Sequence, residues 1–106
     1  MRHARQRIAE IGIGPAGSLY VVPSEGDFPF IYRAAMQVGW DDGHRRLFSP
    51  IPSEMSYADW FRRILSAVDE EYAVRLTIDA GTIWTDVPSN LRAEIESLHR
   101  HPEATP

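Results

Sequence analysis

Two aspartates and a histidine stand within four residues of one another, at Asp41, Asp42 and His44, with Gly43 between them. Carboxylate oxygens and an imidazole nitrogen can ligate a divalent cation, and a carboxylate beside an imidazole can transfer protons. However, three neighbours on one tight turn rarely converge on one ion, and an Asp-Gly step is typical of a hairpin turn. The sequence therefore predicts no metal site here. A ligand or acid–base pocket at the hairpin ends is the alternative hypothesis.

A glycine-rich string at Gly12–Gly17 is similar to the fingerprint of flavin-binding enzymes. In that fingerprint the glycines let the backbone approach a pyrophosphate at the start of a helix. Here the residues that follow, Leu19–Val22, are mostly β-branched or aromatic and end at Pro23, which is typical of a strand. No acidic residue closes a second strand about 20 residues further on. We therefore predict a hairpin turn and no cofactor.

The residues needed for covalent catalysis are scarce. The chain has no cysteine, no lysine and no Gly-x-Ser-x-Gly string. A serine hydrolase would need a serine beside His44, whereas Ser56 is better explained as a helix cap. An acid–base pair drawn from Asp27, Asp41 and Asp42 stays open. On balance the sequence favours a protein that is not an enzyme.

Composition and charge restrict the classes of partner. The chain of 106 residues has 15 acidic and 11 basic residues, a formal net charge of −4 and a hydrophobic fraction of 43%. A nucleic-acid-binding protein needs a basic face, so this balance argues against that class. The basic cluster of Arg2, Arg5 and Arg7 lacks the apolar core of a signal peptide, and no run of about 18 apolar residues occurs. We therefore expect a cytoplasmic protein that binds neither nucleic acid nor membrane.

Turn residues divide the chain into strands. Apolar or β-branched runs indicate strands at Ile8–Ile13, Ser18–Val22, Ala34–Trp40, Arg45–Ser49 and Val74–Ile78. A turn at Asp79–Gly81 then leads to a further short extended segment that ends at Trp84. The pattern predicts a sheet of about five strands.

Helical spacing predicts two helices. Ser56 followed by Asp59 resembles a capping box, and apolar residues recur at helical spacing over residues 57–71. Pro88 opens a second helix in which leucine and isoleucine repeat at the same spacing as far as Leu98. Strands followed by helix, strand and helix indicate one α+β domain over residues 1–106, with a mainly antiparallel sheet and both helices on one face. Residues 1–6 and 99–106 are expected to be flexible.

If the helices cover one face of the sheet, the other face is free for function. Assigning the apolar row of the predicted strand Ala34–Trp40 to the core leaves Ala35, Gln37 and Gly39 on a flat outer surface. A flat surface suits packing against a second copy of the chain better than enclosing a small molecule. We therefore expect a homodimer, or another protein partner, at this face or its edge.

Arginine beside exposed aromatic residues is a frequent composition of interface hot spots. The candidate binding residues lie near predicted strands or turns and are Tyr32, Arg33, Gln37, Trp40, Arg46, Arg75 and Trp84. The sequence thus favours a small non-enzymatic binding or protein-interaction module that uses the free face. The alternative is a small enzyme or ligand-binding protein with its pocket around Asp41, Asp42 and His44.

Four strings of the chain carry a resemblance to known proteins. They are Phe28–Arg33, Val38–Asp41, Leu47–Pro50 and Ser56–Phe61. Together they resemble the small bacterial proteins carried on the mobile gene cassettes of integrons, over about residues 8–98. The resemblance implies a bacterial source, a compact α+β domain and no assigned activity. It carries no functional residue over to this chain.

Overall fold

The computed structural model describes residues 4–100, with side chains as far as residue 98. Within these residues the chain forms six strands, two α-helices and one 3₁₀ turn. The elements in chain order are β1 (Ala4–Ile13), β2 (Leu19–Pro23), the 3₁₀ turn (Ile31–Arg33), β3 (Gly39–Asp41), β4 (Arg46–Phe48), α1 (Tyr57–Tyr72), β5 (Val74–Thr77), β6 (Ile83–Thr85) and α2 (Ser89–Arg100). Of the ends expected to be flexible, residues 1–3 and 101–106 lie outside the described residues.

The strands form one mixed sheet. Its order is β3-β4-β2-β1-β5, and β6 also pairs with β1. β2 runs antiparallel to β1 and β4, and β3 runs antiparallel to β4, whereas β5 and β6 run parallel to β1. The parallel pairs arise because α1 is a crossover that returns the chain in the same direction. The predicted α+β class is confirmed, with one strand more than expected and a sheet of mixed direction.

Both helices pack on the same face of the sheet. The buried side chains form one hydrophobic core, to which the sheet contributes Ile8, Ile11, Val21, Leu47 and Leu76, α1 contributes Phe61, Ile64 and Val68, and α2 contributes Leu91 and Ile95. Because side chains alternate across a strand, the residues between these core positions point to the opposite face.

The apolar stripe predicts α1, and this helix forms over Tyr57–Tyr72. Ser56 Oγ accepts the backbone amide of Asp59 at 3.1 Å, which satisfies one free amide at the helix start. The helix ends at Ala73, whose left-handed φ of 55° accompanies a bond from its amide to the carbonyl of Asp69.

Within residues 4–100, neither α1 nor α2 has the length and apolar character that a membrane span needs.

The predicted strand Ala34–Trp40 is wrong in its first half. The amides of Ala34 and Ala35 both bond the carbonyl of Ile31, at 3.0 and 3.2 Å, so the chain coils here instead of extending. A turn then closes through the Val38 amide and the Ala35 carbonyl at 2.9 Å. The strand β3 begins only at the next residue.

These turns change which side chains are buried. Ala35 is buried, whereas Met36, which the alternation predicts in the core, is 84% exposed. Gln37 is an exposed turn residue, and Gly39 lies beneath the ring of Phe48. The flat outer surface predicted from Ala35, Gln37 and Gly39 is therefore wrong, because the hydrogen bonds of the turn outweigh the alternating apolar pattern.

The glycine-rich string forms a hairpin loop, as predicted. The amide of Gly14 bonds the carbonyl of Ser18 at 2.9 Å, and the amide of Gly17 bonds the carbonyl of Gly14 at 2.9 Å. Gly17 adopts a φ of 100°, a conformation that favours glycine. The preceding strand begins at Ala4, earlier than predicted, because residues 4–7 pair with β5.

Candidate functional site

The candidate site is the face of the sheet opposite the helices, which we call the helix-free face. An irregular register between Ile8 and Glu10 keeps Glu10 on this face, although Ile8 and Ile11 both lie in the core. The face comprises Arg5, Arg7, Glu10, Gly12, Tyr20, Val22, Gly39, Asp41, Arg46, Phe48, Arg75, Thr77, Ile83 and Thr85, which alternate with the core positions of their strands.

One carboxylate joins three strands at the centre of this face. Glu10 Oε2 accepts the phenolic hydroxyl of Tyr20 at 2.7 Å and the hydroxyl of Thr85 at 2.6 Å. Hydrogen bonds to a carboxylate are among the stronger ones in proteins. Burial of Tyr20, and secondly its bond to Glu10, raise the pKa of this phenol above its usual value. The phenol therefore stays a protonated donor at neutral pH.

Two aromatic rings on this face lie over glycines of neighbouring strands. A Cβ atom at Gly12 would stand 2.4 Å from Tyr20 Cζ, and one at Gly39 would stand 2.5 Å from Phe48 Cζ. Both contacts join cross-strand partners. Glycine is required at these two positions because the rings occupy the space of a side chain.

A guanidinium lies over the ring of the central tyrosine. Arg46 Cζ lies 4.1 Å from the centroid of the Tyr20 ring, within the range of a cation–π contact. Arg46 Nε is 3.9 Å from Asp41 Oδ2, which makes a loose ion pair. Ile83, the register partner of Glu10 on β6, is 60% exposed. The centre of the face thus combines an ordered aromatic ring, a guanidinium and an exposed apolar side chain.

The hairpin between β3 and β4 holds one close acid–imidazole pair. His44 Nδ1 lies 2.8 Å from Asp41 Oδ2, and the His44 amide donates to Asp41 Oδ1 at 3.2 Å. The side-chain bond first, and then the amide bond, lower the pKa of Asp41. Asp42 turns away and accepts the indole N–H of Trp40 at 3.4 Å. The structure therefore brings together two members of the predicted hairpin pocket and separates the third.

Metal ligation was one chemistry that the hairpin residues suggested. Across the described chain, no three histidine, cysteine, aspartate or glutamate side chains lie close enough together to hold a metal ion. The pair of Asp41 and His44 supplies two ligands and could exchange a proton.

Arginines dominate the β5 edge of the helix-free face. Arg7 binds Asp79 through two contacts, Nε to Oδ2 at 2.7 Å and Nη2 to Oδ1 at 3.1 Å. The hydrogen bond from Arg7 lowers the pKa of Asp79 to about 2, and the same bond raises the pKa of Arg7. Arg5 and Arg75 are register partners on β1 and β5, and both are exposed.

Two of the predicted binding residues, Trp40 and Trp84, lie on the helix side of the sheet. Both are partly buried against the core. Trp40 meets Phe28 edge to face with their centroids 5.6 Å apart, and Arg92 of α2 lies 4.9 Å from the centroid of Trp84. The tryptophans thus border the core and take no part in the helix-free face.

Three other predicted binding residues, Tyr32, Arg33 and Gln37, lie on one exposed segment beside α1. Arg33 Cζ is 4.6 Å from the centroid of Phe30, and Arg33 Nη1 is 3.8 Å from Glu71 Oε2. This segment belongs to the helix side of the sheet and is separate from the helix-free face.

Only Arg46 and Arg75 among the predicted binding residues lie on the helix-free face. The sequence reasoning missed its centre, formed by Glu10, Tyr20 and Thr85. The alternation of β2 carries the signal that Tyr20 points away from the core. The meeting of Tyr20 with Glu10 and Thr85 has no such signal, because it depends on strand register and on the parallel pairing of β6.

Comparison with known proteins shows which family the chain belongs to. The family model for the Integron Cassette Protein Hfx_Cass5 matches residues 6–82. A solved Integron Cassette Protein Hfx_Cass5 from the mobile metagenome of the North West Arm sewage outfall is 41% identical, covers 90% of this chain and 95% of its own, and superposes with a TM-score of 0.44. No curated protein matches the chain. The chain therefore belongs to the Integron Cassette Protein Hfx_Cass5 family, and its resemblance to integron cassette proteins is confirmed.

Proposed function

We propose that the protein is a small non-enzymatic interaction module that binds a second copy of itself through the helix-free face. The observation that carries the proposal is the ordered centre of this face, where Tyr20 is held by Glu10 and Thr85, covered by Arg46 and placed near exposed Ile83. Tyrosine and arginine are enriched in interface cores. Side chains that are already ordered lose less conformational entropy on binding.

The charge pattern of the face is compatible with a two-fold arrangement. Arg5 and Arg75 lie at the β5 edge, whereas Asp41 lies on β3 at the opposite edge. When two sheets pack face to face about an axis parallel to the strands, the β5 edge of one copy lies over the β3 edge of the other. The two basic edges then stay apart, and the centres of the two faces meet.

The central carboxylate of this face supports binding over catalysis. Glu10 Oε2 accepts two hydroxyl groups. A general base instead needs a lone pair aimed at a substrate proton. We place the module in the cytoplasm, because a chain without cysteine has no disulfide that would require an oxidising compartment.

Sedimentation equilibrium tests the proposal. The wild type should associate reversibly to a dimer between about 1 µM and about 1 mM, the range expected for a moderate interface. Ile83→Asp should shift the protein to a monomer, because it places a charge at an exposed position of the proposed contact. Circular dichroism should show that the fold of this variant is unchanged.

Ile51→Asp is the matched control for this experiment. Ile51 is also 60% exposed, but it lies in the loop between β4 and α1, close to Gly17. Its replacement should leave the dimer intact. A wild type that stays monomeric at all concentrations, or equal dissociation by both variants, would overturn the proposal.

A second candidate function is a small enzyme or ligand-binding protein that uses Asp41, Asp42 and His44. The observation that favours it is the 2.8 Å contact between His44 Nδ1 and Asp41 Oδ2. Amide chemical-shift mapping with a library of small polar compounds tests it. Shifts that cluster at Asp41 and His44 would support this candidate, and shifts scattered over the surface would contradict it.

A further inference from the structure

Two arginines face each other across the β1–β5 pair. Arg5 and Arg75 are register partners in the parallel ladder, so their side chains leave the same face of the sheet from strands about 4.8 Å apart. Both residues are exposed. Neither guanidinium forms an ion pair or hydrogen bond with another residue in the described range. Like charges directly opposite each other on paired strands destabilise a sheet.

The carboxylate of Asp79, on the turn after β5, does not relieve this repulsion because it is paired with another arginine. Arg7 lies two residues further along β1 on the same face, about 7 Å away along the strand. Its guanidinium already holds Asp79 through two hydrogen bonds, at 2.7 and 3.1 Å. The carboxylate of Asp79 is therefore committed to Arg7 and to the Gly81 amide, which it accepts at 2.9 Å. Two positive charges at the edge of an acidic protein are left without a counter-charge from these groups.

We propose that Arg5 and Arg75 together bind a phosphate group. A guanidinium is a planar fork of N–H donors that suits the oxygens of phosphate, and two forks can hold one tetrahedral anion from two sides. A phosphate monoester carries a charge of about −1.5 to −2 at neutral pH, which balances both arginines, whereas a carboxylate balances only one. The ligand class is therefore inorganic phosphate or a small phosphomonoester.

This site lies at the β5 edge, away from the centre of the helix-free face at Glu10 and Tyr20. In the proposed dimer this edge lies over the β3 edge of the second copy, but the thermal-unfolding test measures phosphate binding and does not require self-association. The formal charge of the whole chain is −4, so the general field of the protein repels anions. Binding must then come from the local pair, and loss of either arginine should abolish it.

Thermal unfolding with phosphate tests the site on the chain of 106 residues. The unfolding midpoint is measured in sodium phosphate and in sodium chloride at equal ionic strength, for the wild type, Arg5→Gln, Arg75→Gln and the control Arg63→Gln. Arg63 is an exposed residue of α1 on the other side of the sheet. Phosphate stabilises proteins in general by exclusion from their surface, so part of any rise in the unfolding midpoint is not due to binding. The informative quantity is the phosphate excess, which is the midpoint in phosphate minus the midpoint in chloride. This excess should be equal in the wild type and Arg63→Gln and smaller in Arg5→Gln and Arg75→Gln.

Two further measurements separate ligand binding from a change in fold. In a phosphate-free buffer of low ionic strength, Arg75→Gln should unfold at or above the wild-type midpoint, because it removes a like-charge pair. In the wild type, the backbone amide resonances of Arg5 and Arg75 should shift saturably with inorganic phosphate. A repeat with glycerol phosphate shows whether an ester binds more tightly than the free anion, and either preference supports the site. The same phosphate excess in all four proteins, or amide shifts that grow linearly without saturation, would overturn it.

Discussion

The phenolic oxygen of Tyr20 lies 2.7 Å from Glu10 Oε2, and the same carboxylate oxygen lies 2.6 Å from Thr85 Oγ1. One acceptor atom therefore links β2 and β6 to the central strand β1. β6 is far from β1 and β2 in sequence, so this contact ties the β1–β2 hairpin to a distant strand on the helix-free face. A polar group at such a junction fixes register, because a shift by one residue would move Tyr20 into the core.

The raised pKa of Tyr20 predicts a loss of stability at alkaline pH. The folded protein holds the phenolic proton more tightly than the unfolded chain, whose value is near 10.0. The contribution of Tyr20 to the free energy of unfolding is thus complete below that value. It disappears as the pH rises through the higher folded pKa. Urea unfolding between about pH 8 and about pH 11.5 should show this loss in the wild type and a smaller one in Tyr20→Phe. Tyr32→Phe, which removes an exposed phenol, should keep the wild-type slope, and an equal slope in all three proteins would contradict the assignment.

Gly12→Ala should destabilise the fold through the ring of Tyr20. The added Cβ would stand 2.4 Å from both Cζ and Oη of that ring, so the ring and its bond to Glu10 must shift. Overpacking of this kind costs about 1–3 kcal/mol in the free energy of unfolding. Gly14→Ala is the control, because the nearest atom to its Cβ is 3.9 Å away. Chemical denaturation measures both, and a loss no larger at Gly12 than at Gly14 would show that the ring moves freely.

The helices were predictable from sequence because their signals are local. Ser56 bonds the Asp59 amide as the capping pattern predicts, and the apolar stripe of α1 faces the core. The hairpin at Gly14–Gly17 was equally predictable, since proline fixes φ and glycine allows a positive φ without help from distant residues.

The prediction that failed concerns the segment before β3, and the parallel direction of the later strands was a detail that the sequence did not indicate. Alternating apolar residues favoured a strand from Ala34, but the carbonyl of Ile31 accepts the amides of both Ala34 and Ala35. Short apolar runs fit a strand or a helical turn equally well, so the alternation could not decide. Parallel pairing of β5 with β1 depends on where α1 crosses the sheet, which no local pattern contains.

The candidate site was only partly predictable for the same reason. Arg46 and Arg75 were identified from their position in predicted strands, and both lie on the helix-free face. Their neighbours on this face are set by strand register: Arg46 lies over Tyr20, and Arg75 lies beside Arg5. Trp40 and Trp84 were included among the binding residues because each lies next to a turn. A large ring in that position can equally border the core, as both do.

Burial along α1 predicts unequal costs for two adjacent truncations. Ile64 is fully buried, whereas Leu65, which belongs to the predicted stripe, is only partly buried against the core. Ile64→Ala should therefore lower the free energy of unfolding by about 2–5 kcal/mol, the range for a buried aliphatic residue. Leu65→Ala should cost about 1–2 kcal/mol, since less apolar area is lost. Urea unfolding of both variants measures the difference, and a larger cost at Leu65 would mean that the helix is rotated from the orientation described.

The pair of Arg7 and Asp79 predicts a specific loss of stability in acid. The hydrogen bond from Arg7 lowers the pKa of Asp79 to about 2 from a usual value of 3.8. The folded protein thus binds this proton less tightly than the unfolded chain does. The contribution of the pair is present above 3.8 and is lost as the pH falls from there toward the folded value. Asp79→Asn has no charge to lose at this position, so its stability should fall less steeply than that of the wild type over this range.

Asp27→Asn is the matched control for the acid experiment. Asp27 also forms an exposed ion pair with an arginine, Arg45, at 2.7 Å, but through a single contact and outside the β5–β6 turn. Asp79 in addition accepts the Gly81 amide at 2.9 Å and the Thr82 hydroxyl at 3.3 Å, so its ionised form organises that turn. Urea unfolding from about pH 5 to about pH 2 should give a flatter profile for Asp79→Asn alone. If Asp27→Asn flattens the profile as much, acid sensitivity comes from exposed carboxylates in general and the Arg7 contact has no special part in it.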